Sequence, residues 1–440
     1  MTREIPGTLL VESSSAIVRG LCNHTRKPLY GSVLVVESLD PGCYDAIIAS
    51  AAVICSGGGR TGHMESLCRS RGIPVLRVDR AELDAITGHV TVRLDRQSVM
   101  LGEAFVAAQP ARSFGVAPAD LGSICVVIAA ASDVRATNAL PNRVEQVTSF
   151  FVREEFICLA AGLSPLDALR SAPEEYGAAI AAELGAIAGE LLPGQRLVMR
   201  LLDLRSDDAT KITTGFAVSQ EPNPDLGLHG ARWLLASRNY PLAFRALRAG
   251  VRALGPDGTA KLSFAVPFVN DQDEYRQLRR HLDLPDSTPL SAFIETPAAV
   301  HSVAGFCAAG AHELFVGTKD LVQFYLAADR KNHLVASSYR TRHPAVMAGL
   351  RHVVDTARRA ATPVHVFALL ADMDYYVRQL GADGFMMCTA ELQQLALSKL
   401  SALSAFVFVS SRNGAPRMWR SRGRRARPTW RSTIEATVNL

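Results

Sequence analysis

The chain has 440 residues, enough for two or three domains with a large buried core. Hydrophobic residues make up 48% and charged residues 20%, and no apolar run approaches the ~18 residues of a membrane span, which is typical of a soluble globular protein. Most of the formal net charge of +5 lies near the carboxyl end, where eight arginines and no acid occur between Arg412 and Arg431. The body of the chain therefore gives no electrostatic case for binding nucleic acid.

The amino-terminal segment and the cysteines indicate a reducing compartment. The first residues lack the apolar stretch of a signal peptide, which predicts a cytoplasmic location without a membrane partner. No C-x-x-C pair occurs, so the thiols are expected to be reduced and mostly buried, with neither a zinc site nor a disulfide framework. The eight cysteines stand at positions 22, 43, 55, 68, 125, 158, 307 and 388.

Residues 1–103 alternate short apolar runs with Gly and Pro turns, which predicts one compact α/β domain. Ser32–Val36, Ala46–Ile48 and Val90–Leu94 are predicted strands, and a helix is predicted to begin near His63. Residues 104–120 are rich in alanine with Pro110, Gly115 and Pro118, and are predicted to connect this domain to the next.

A glycine-rich stretch stands just before His63. Three consecutive glycines, Gly57–Gly59, allow backbone amides to converge on one point, and Arg60 and Thr61 follow them. A histidine at the start of a helix lies among oriented N–H dipoles, which suits an imidazole that accepts a phosphoryl group. These residues alone leave open an ordinary strand-to-helix turn with a solvated histidine.

Residues 121–400 repeat strand-like and helical segments, which predicts a (β/α)8 TIM barrel with its active site at the carboxyl ends of the strands. A basic tail, residues 401–440, is predicted to be disordered. The predicted barrel strands are Ile124–Ile128, Arg196–Arg200, Leu262–Val266, Ala292–Glu295, Glu313–Gly317, Val364–Phe367 and Gly384–Met387.

Charged side chains follow several of these apolar runs. Arg200, Glu295, Lys319 and Asp320 end or follow predicted barrel strands, and Arg153, within Phe150–Phe156, joins them. Arginine suits bidentate recognition of phosphate or carboxylate, and paired carboxylates suit Mg²⁺. The residues alone leave two interpretations open, an anion-plus-metal site and ordinary salt bridges at strand ends.

The loop before His63 resembles the phosphohistidine loop of the PEP-utilising enzymes, the family that includes phosphoenolpyruvate synthase. The resemblance rests on Gly58–His63 and Arg71–Val75, with Gly62 in the place of the usual serine. It implies a swivelling phosphohistidine α/β domain followed by a (β/α)8 barrel. It also implies that His63 is the catalytic phosphoryl carrier, held by a loop of Gly58, Gly59, Arg60 and Thr61.

The barrel segments extend this resemblance to about residue 395. It implies that Arg153 and Arg200 bind PEP and that Glu295 and Asp320 ligate Mg²⁺, the expected cofactor. The segments that carry it are Leu140–Asn142, Arg153–Phe156, Arg200–Asp203, Glu221–Arg232, Ile294–Pro297 and Gly317–Gln323.

Three residues depart from the family pattern and bear on the substrate. His229 replaces a third arginine and Lys319 replaces an asparagine, and both are expected to contact the substrate. Phe367 stands in the place of the cysteine that moves a proton at C3 of pyruvate enolate, while Cys388 lies further on in a predicted strand. Net conversion between pyruvate and PEP is therefore not expected.

The resemblance implies a Mg²⁺-dependent phosphotransferase in which phospho-His63 links a PEP-like substrate in the barrel to a separate partner. The chain starts at the phosphohistidine domain, so a separate ATP-grasp subunit or a protein phosphoacceptor is the expected partner. A homodimer formed through the barrel is also expected. The alternative is a catalytically degenerate binding or regulatory subunit.

Overall fold

The computed structural model describes residues 3–13, 15–59, 62–102, 116, 118–140, 145–330 and 332–396, without the side chains of His63 and His333. The predicted tail 401–440 and most of the predicted connection 104–120 lie outside the described residues. Within the described part, a small closed barrel is followed by a larger one. The prediction of a small α/β domain followed by a (β/α)8 barrel is confirmed.

The small domain has seven short strands and three helices among its described residues. The strands are β1 (Glu4–Val11), β2 (Ile17–Asn23), β3 (Val33–Val36), β4 (Ala52–Cys55), β5 (Val75–Val78), β6 (His89–Arg93) and β7 (Ser98–Leu101). The helices are α1 (Tyr44–Ala49), α2 (His63–Arg71) and α3 (Arg80–Leu83), with a 3₁₀ turn at Pro41–Cys43.

The strands of the small domain close in the order β1-β5-β4-β3-β2-β6-β7, with β7 pairing back onto β1. The pairs among β2, β3, β4 and β5 are parallel, and the others are antiparallel. Val33 and Val35 pack into one apolar cluster and Leu34 and Val36 into a second, as the two-residue period of a strand requires. Strand β3 is therefore buried on both faces.

The predicted strand at Ala46–Ile48 is wrong, because these residues lie in helix α1. Asp40 accepts a hydrogen bond from the Gly42 amide at 2.9 Å, and Pro41 starts a 3₁₀ turn that leads directly into the helix. A short apolar run does not distinguish a buried strand from a buried helix by its periodicity. The capping residues upstream decide between them here. The predicted helix start at His63 is confirmed by α2.

The larger barrel follows a 3₁₀ turn at Pro118–Leu121. Its strands are β8 (Ser123–Ile128), β9 (Val147–Arg153), β10 (Arg196–Arg200), β11 (Leu262–Val266), β12 (Leu290–Ile294), β13 (Leu314–Val316), β14 (Val364–Phe367) and β15 (Gly384–Cys388). Each strand pairs in parallel with the next, and β15 closes onto β8. Sequence analysis did not predict β9, which carries Arg153 at its end.

The helices of this barrel cover its outside, as a parallel sheet buried on both faces requires. They are α4 (Ala131–Asn138), α5 (Glu154–Ala160), α6 (Pro165–Ser171), α7 (Pro173–Gly189), α8 (Ser206–Ile212), α9 (Gly230–Ala236), α10 (Tyr240–Ala253), α11 (Gly255–Ala260), α12 (Gln272–His281), α13 (Pro297–His301), α14 (Val303–Ala308), α15 (Thr318–Leu326), α16 (Pro344–Arg359) and α17 (Leu370–Leu380). Further 3₁₀ turns occupy Pro224–Leu226 and His333–Val335.

Aromatic rings fill the interior of the larger barrel. The ring centroids of Phe151 and Phe293, and those of Phe151 and Phe315, are 5.4 Å apart, within the usual range for interacting aromatic pairs. Phe367 and Met386 belong to the same buried cluster. The barrel is therefore packed rather than hollow, and its floor lies directly under the ends of the strands.

Candidate active site at the barrel mouth

The carboxyl ends of the barrel strands surround a small cavity of about 20 Å³. Five of the side chains predicted from sequence line it together: Arg153, Arg200, Glu295, Lys319 and Asp320. The other lining residues are Val127, Phe151, Phe293, Gly317, Arg330, Phe367 and Met386. Charged groups thus form the walls, and the apolar cluster of the barrel interior forms the floor.

Arg153 and Arg200 end neighbouring strands, β9 and β10, and are paired in register. Arg200 pairs with Glu155 and, at 3.2 Å, with Asp203. Burial opposes the charge of Arg200, but Glu155 and Asp203 raise its pKa above the ordinary value. Burial and the charge of Arg200 lower the pKa of Arg153 to about 10. Among the described residues, Nε and one terminal nitrogen of Arg153 have no hydrogen-bond partner, which suits an incoming anion.

Glu295 follows β12, and Asp320 lies in the first turn of α15, just after β13. Glu295 Oε2 accepts a hydrogen bond from the Phe268 amide at 2.9 Å. Asp320 Oδ1 pairs with Arg330 at 2.9 Å and with Arg205 at 3.1 Å. Burial, followed by the negative charge of Asp320, raises the pKa of Glu295 to about 8. Two carboxylates that oppose each other's charge favour a cation between them.

The two carboxylates at this site fit Mg²⁺ better than they fit a metal whose ligands all come from the protein. No group of three or more His, Cys, Asp or Glu residues that could hold a metal occurs in the described ranges. Mg²⁺ needs only one or two carboxylates when phosphate oxygens and water complete its shell. Glu295 and Asp320 match that requirement.

Lys319 and Phe367 form one wall of the cavity. Lys319 Nζ lies 4.5 Å from the centre of the Phe367 ring and donates a hydrogen bond to Ser66 Oγ at 2.6 Å. Burial, followed by the charge of Arg69, lowers the pKa of Lys319 well below its ordinary value. Cys388 lies in β15 within the apolar cluster, where burial raises the pKa of its thiol to about 11.

His229 lies outside the cavity lining, at the start of α9. Its Nδ1 is 2.7 Å from Asp203 Oδ1, and its Nε2 is 3.1 Å from the Asp225 carbonyl oxygen. The ring packs on Phe268 with centroids 4.2 Å apart. Both ring nitrogens of His229 contact protein groups. The contact through Nδ1 helps hold Asp203 beside Arg200. The expected contact between His229 and substrate stays a prediction.

The glycine loop connects β4 to α2. Gly58 has φ +96°, a conformation that favours glycine, and its carbonyl oxygen accepts a hydrogen bond from Arg77 at 3.0 Å. The Gly57 amide donates to the Glu37 carbonyl oxygen at 2.7 Å. Predicted loop residues Arg60 and Thr61, and the side chain of His63, lie outside the described part of the chain. The backbone of His63 forms the first residue of α2.

Helix α2 brings the loop to the barrel mouth. Besides the bond between Lys319 and Ser66, Arg71 pairs with Asp133 of the barrel at 3.1 Å. Phe156 of α5 packs into the apolar cluster of the small domain. Ser66 lies three residues after His63, so the start of α2 is within one helical turn of a residue that contacts a cavity-lining lysine.

Arg205 and Arg330 were not among the site residues predicted from sequence. Both are buried and pair with Asp320. The signal for Arg205 was its position five residues after the end of β10, on the rim where catalytic side chains of such barrels gather. Its pairing with a residue 115 positions away could not be predicted from local sequence.

Comparison with protein families gives two matches. Residues 119–391 match the family described as PEP-utilising enzyme, PEP-binding domain. Residues 29–98 match the family described as PEP-utilising enzyme, mobile domain.

Curated relatives carry names from this family. Over 346 residues the chain is 26% identical to the phosphoenolpyruvate synthase of Pyrococcus furiosus, covering 75% of this chain and 42% of that protein. It is 30% identical over 333 residues to the multiphosphoryl transfer protein of Xanthomonas campestris pv. campestris, covering 69% of this chain and 36% of that protein. The phosphoenolpyruvate-protein phosphotransferase of a Bacillus species is 30% identical over 243 residues, covering 50% of this chain and 40% of that protein. The chain thus spans about two fifths of the length of these relatives.

Matches among solved structures include the magnesium and glyoxylate complex of malate synthase from Haloferax volcanii, at 12% identity and a TM-score of 0.39 over 69% of this chain and 79% of that chain. Among the helices that the structure describes, none has the length and apolar character needed to cross a membrane.

Proposed function

Because the chain belongs to the family of PEP-utilising enzymes, we propose that it is a Mg²⁺-dependent phosphotransferase in which His63 carries a phosphoryl group. The donor or acceptor in the barrel is PEP or a related phosphorylated small molecule. The other half-reaction uses a separate partner, either an ATP-grasp subunit or a protein phosphoacceptor. The observation that carries the proposal is the cavity at the barrel mouth, where three arginines, a lysine and two carboxylates meet beneath the helix that begins at His63.

The arginines supply the anion site. Arg153 offers buried nitrogens without partners in the described chain, and Arg200 is held in place by Glu155 and Asp203. Planar guanidinium groups match the oxygen pairs of phosphate and carboxylate. These two residues therefore bind and orient a phosphorylated carboxylic acid, while the apolar floor and the small domain exclude water from it.

Glu295 and Asp320 are the residues that would hold Mg²⁺. When bound, this ion would offset the negative charge of the phosphate and carboxylate oxygens of the substrate. Arg205 and Arg330 keep Asp320 in one position through their ion pairs.

The transfer forms a bond between an imidazole nitrogen of His63 and phosphorus as the bond between phosphorus and the enol oxygen of PEP breaks. The electron pair of the broken bond passes to that oxygen and leaves pyruvate enolate. Arg200 and Arg153 stabilise the charge on the oxygens during this exchange. Phe367 offers no proton for C3 of the enolate, so release of pyruvate is expected to be slow. The cavity wall formed by Phe367 suits a larger or more apolar enol, phenol or alcohol.

The test is intact-mass analysis after incubation with PEP and Mg²⁺. We expect one added phosphate, acid-labile as a phosphoramidate is, and its complete loss in His63→Ala. His24→Ala is the matched control, since His24 belongs to the same domain and its Nε2 lies 2.9 Å from the Ile86 carbonyl oxygen. Equal labelling of His63→Ala and the wild-type chain would overturn the assignment of His63.

The second candidate, a binding or regulatory subunit without catalysis, is favoured by Phe367, which lines the cavity and offers no proton. The family resemblance implies a proton-transferring cysteine at this position. This second candidate predicts that PEP raises the melting temperature through Arg153 while no phosphate appears on His63. The same samples, measured by thermal unfolding and by mass, therefore distinguish the two candidates.

A further inference from the structure

A serine, a histidine and a glutamate meet at the amino-terminal end of the larger barrel, opposite the cavity at its mouth. Ser123 is the first residue of β8, His365 is the second residue of β14, and Glu313 stands immediately before β13. The His365 ring stacks on Phe315 with centroids 5.8 Å apart. His365 and Phe367 lie on one face of β14, because they are two residues apart. Phe315 and Phe367 belong to the apolar floor of the cavity, which therefore separates the three polar side chains from it.

The contacts among these side chains have a defined order. Ser123 Oγ lies 2.6 Å from His365 Nε2, and Glu313 Oε1 lies 2.5 Å from His365 Nδ1. His365 is 2% exposed and Glu313 is 1% exposed, whereas Ser123 is half-buried. A carboxylate only accepts hydrogen bonds, so Nδ1 carries the ring hydrogen and Nε2 accepts the hydrogen of the Ser123 hydroxyl. This is the order of groups in which a histidine activates a serine.

Two neighbouring residues favour this arrangement. An ideal Cβ on Gly384 of β15 would collide with Ser123 Oγ and would lie 2.5 Å from His365 Nε2. The missing side chain of Gly384 therefore leaves the space in which these two atoms meet. Arg196 Nη2 lies 3.9 Å from Glu313 Oε2, beyond hydrogen-bonding distance. The imidazole is thus the closer partner of this buried carboxylate.

We propose that Ser123 is a nucleophile that accepts the acyl group of small, activated esters, with His365 as its general base. Glu313 is a positioning residue, because it holds the tautomer of His365 and does not touch the reacting atoms. This activity goes beyond the proposed phosphoryl transfer and uses the other end of the barrel. The exposed residues Gly122 and Asp383 flank Ser123, whose Oγ lies 3.4 Å from the Asp383 carbonyl oxygen. An ester reaches the hydroxyl from this rim, and a half-buried hydroxyl admits a small acyl group.

The reaction has two balanced steps. In the first, a bond forms between Ser123 Oγ and the carbonyl carbon of the ester, and the hydroxyl proton passes to His365 Nε2. The bond from that carbon to the alcohol oxygen breaks, and this oxygen leaves with the electron pair and takes the proton. In the second, water attacks the acyl-serine while His365 moves its proton to Oγ, which releases a carboxylic acid. Water at the exposed rim stabilises the charge on the carbonyl oxygen less than fixed donors would, so the ester needs a good leaving group.

A purely structural role must be separated from this one. In that role the three side chains only close the base of the barrel. Burying charged groups stabilises a fold weakly, because desolvation offsets their attraction. Both roles predict that substitutions alter the melting temperature, so stability does not distinguish them. The nucleophilic role alone predicts a covalent product on Ser123.

The experiment uses the full chain and two probes. An alkyl fluorophosphonate, which bonds to an activated serine with loss of fluoride, is followed by intact mass and peptide mapping. Hydrolysis of p-nitrophenyl acetate is followed by release of p-nitrophenolate. We expect one adduct on Ser123, its complete loss in Ser123→Ala, and a reaction about 10²- to 10⁴-fold slower in His365→Gln, the usual effect of losing a general base. Ser171→Ala is the matched control, since Ser171 is exposed and donates a hydrogen bond to the Asp167 carbonyl oxygen at 2.9 Å.

Glu313→Gln tests the positioning role. It is expected to lower the maximal rate of labelling and to leave the probe concentration at half-maximal rate unchanged, because Glu313 does not contact the probe. Thermal unfolding shows which variants fold, and if His365→Gln does not, the wild-type and Ser123→Ala chains carry the comparison. The proposal would be overturned by a folded wild-type chain without an adduct on Ser123. Equal release of p-nitrophenolate by the wild-type and Ser123→Ala chains would also overturn it.

Discussion

A carboxyl group next to the site illustrates how burial and hydrogen bonds compete at the scale of one residue. Glu154 accepts hydrogen bonds from Tyr176 at 2.7 Å and from Tyr240 at 2.5 Å, which favour its charged form. Burial opposes this and prevails, raising the pKa of Glu154 to about 7. The neighbouring Glu155 is also buried, but it pairs with Arg200 of the cavity. Glu154 therefore anchors helix α5, which carries Glu155, the partner of Arg200.

Glu154 makes stability depend on pH. Its folded pKa of about 7 lies above the ordinary glutamate value of 4.5, so folding favours the protonated form. Its contribution is complete below about pH 4.5 and is lost as pH rises towards 7, by about 3 kcal/mol. We expect Glu154→Gln to gain free energy of unfolding relative to wild type between pH 5 and 8, as measured by urea unfolding. The exposed Glu174→Gln should show no such trend. If the difference in free energy of unfolding between Glu154→Gln and wild type stayed constant with pH, the raised pKa of Glu154 would be contradicted.

At the scale of elements, two outer helices pack unusually closely. An ideal Cβ on Gly177 of α7 would lie 1.9 Å from the Ala243 carbonyl oxygen of α10, and one on Gly250 of α10 would lie 2.5 Å from the Cβ of Ala181. These small residues let the two helices approach, and Tyr176 and Tyr240 on the same helices reach Glu154. Helix packing outside the barrel thus supports the position of α5 beside the site.

Gly177→Ala tests this packing. The added methyl group meets backbone rather than a movable side chain, so we expect a loss of about 2 kcal/mol in the free energy of unfolding. Gly189→Ala, at the end of the same helix, meets no atom within 4 Å and should be neutral or stabilising by up to about 1 kcal/mol. Urea unfolding measures both. Equal stability of the two variants would show that the helices separate at little cost.

At the scale of the whole molecule, the small domain closes the mouth of the larger barrel. The cavity of about 20 Å³ holds roughly one water molecule and is too small for a phosphorylated acid. The bond between Lys319 and Ser66 and the pair between Arg71 and Asp133 hold this closed arrangement. We therefore expect that substrate entry requires the two domains to separate.

A disulfide across the two domains tests this requirement. An ideal Cβ on Gly72, at the end of α2, lies 3.8 Å from the Cβ of Ala390, which is the usual separation in a disulfide. We expect the oxidised Gly72→Cys/Ala390→Cys chain to lose both the rise in melting temperature caused by PEP and the labelling of His63. Reduction should restore both. Because Gly72 has φ +67°, the single Gly72→Cys variant is included to measure backbone strain.

Wild-type protein under the same oxidant controls for its eight native thiols. Labelling of the oxidised double variant at the rate of its reduced form would show that substrate reaches the barrel without separation of the domains.

The sequence by itself determined the architecture and most of the cavity walls. Repeated strand-like and helical segments predicted the barrel. The carboxyl ends of parallel strands meet on one rim, so position along the chain grouped Arg200, Glu295, Lys319 and Asp320, with Arg153 after the apolar run Phe150–Val152. The family resemblance gave these residues their expected roles. The glycines before His63 likewise predicted the start of α2. Each of these inferences depends on local pattern.

Only the tertiary structure decided how distant residues share space. Local sequence left Ala46–Ile48 ambiguous between strand and helix, and the capped turn beginning at Asp40 resolved it. The bond from Lys319 to Ser66 joins residues 253 positions apart, and the bond from Arg205 to Asp320 joins residues 115 positions apart. Such contacts depend on packing between elements, which no periodicity along the chain records.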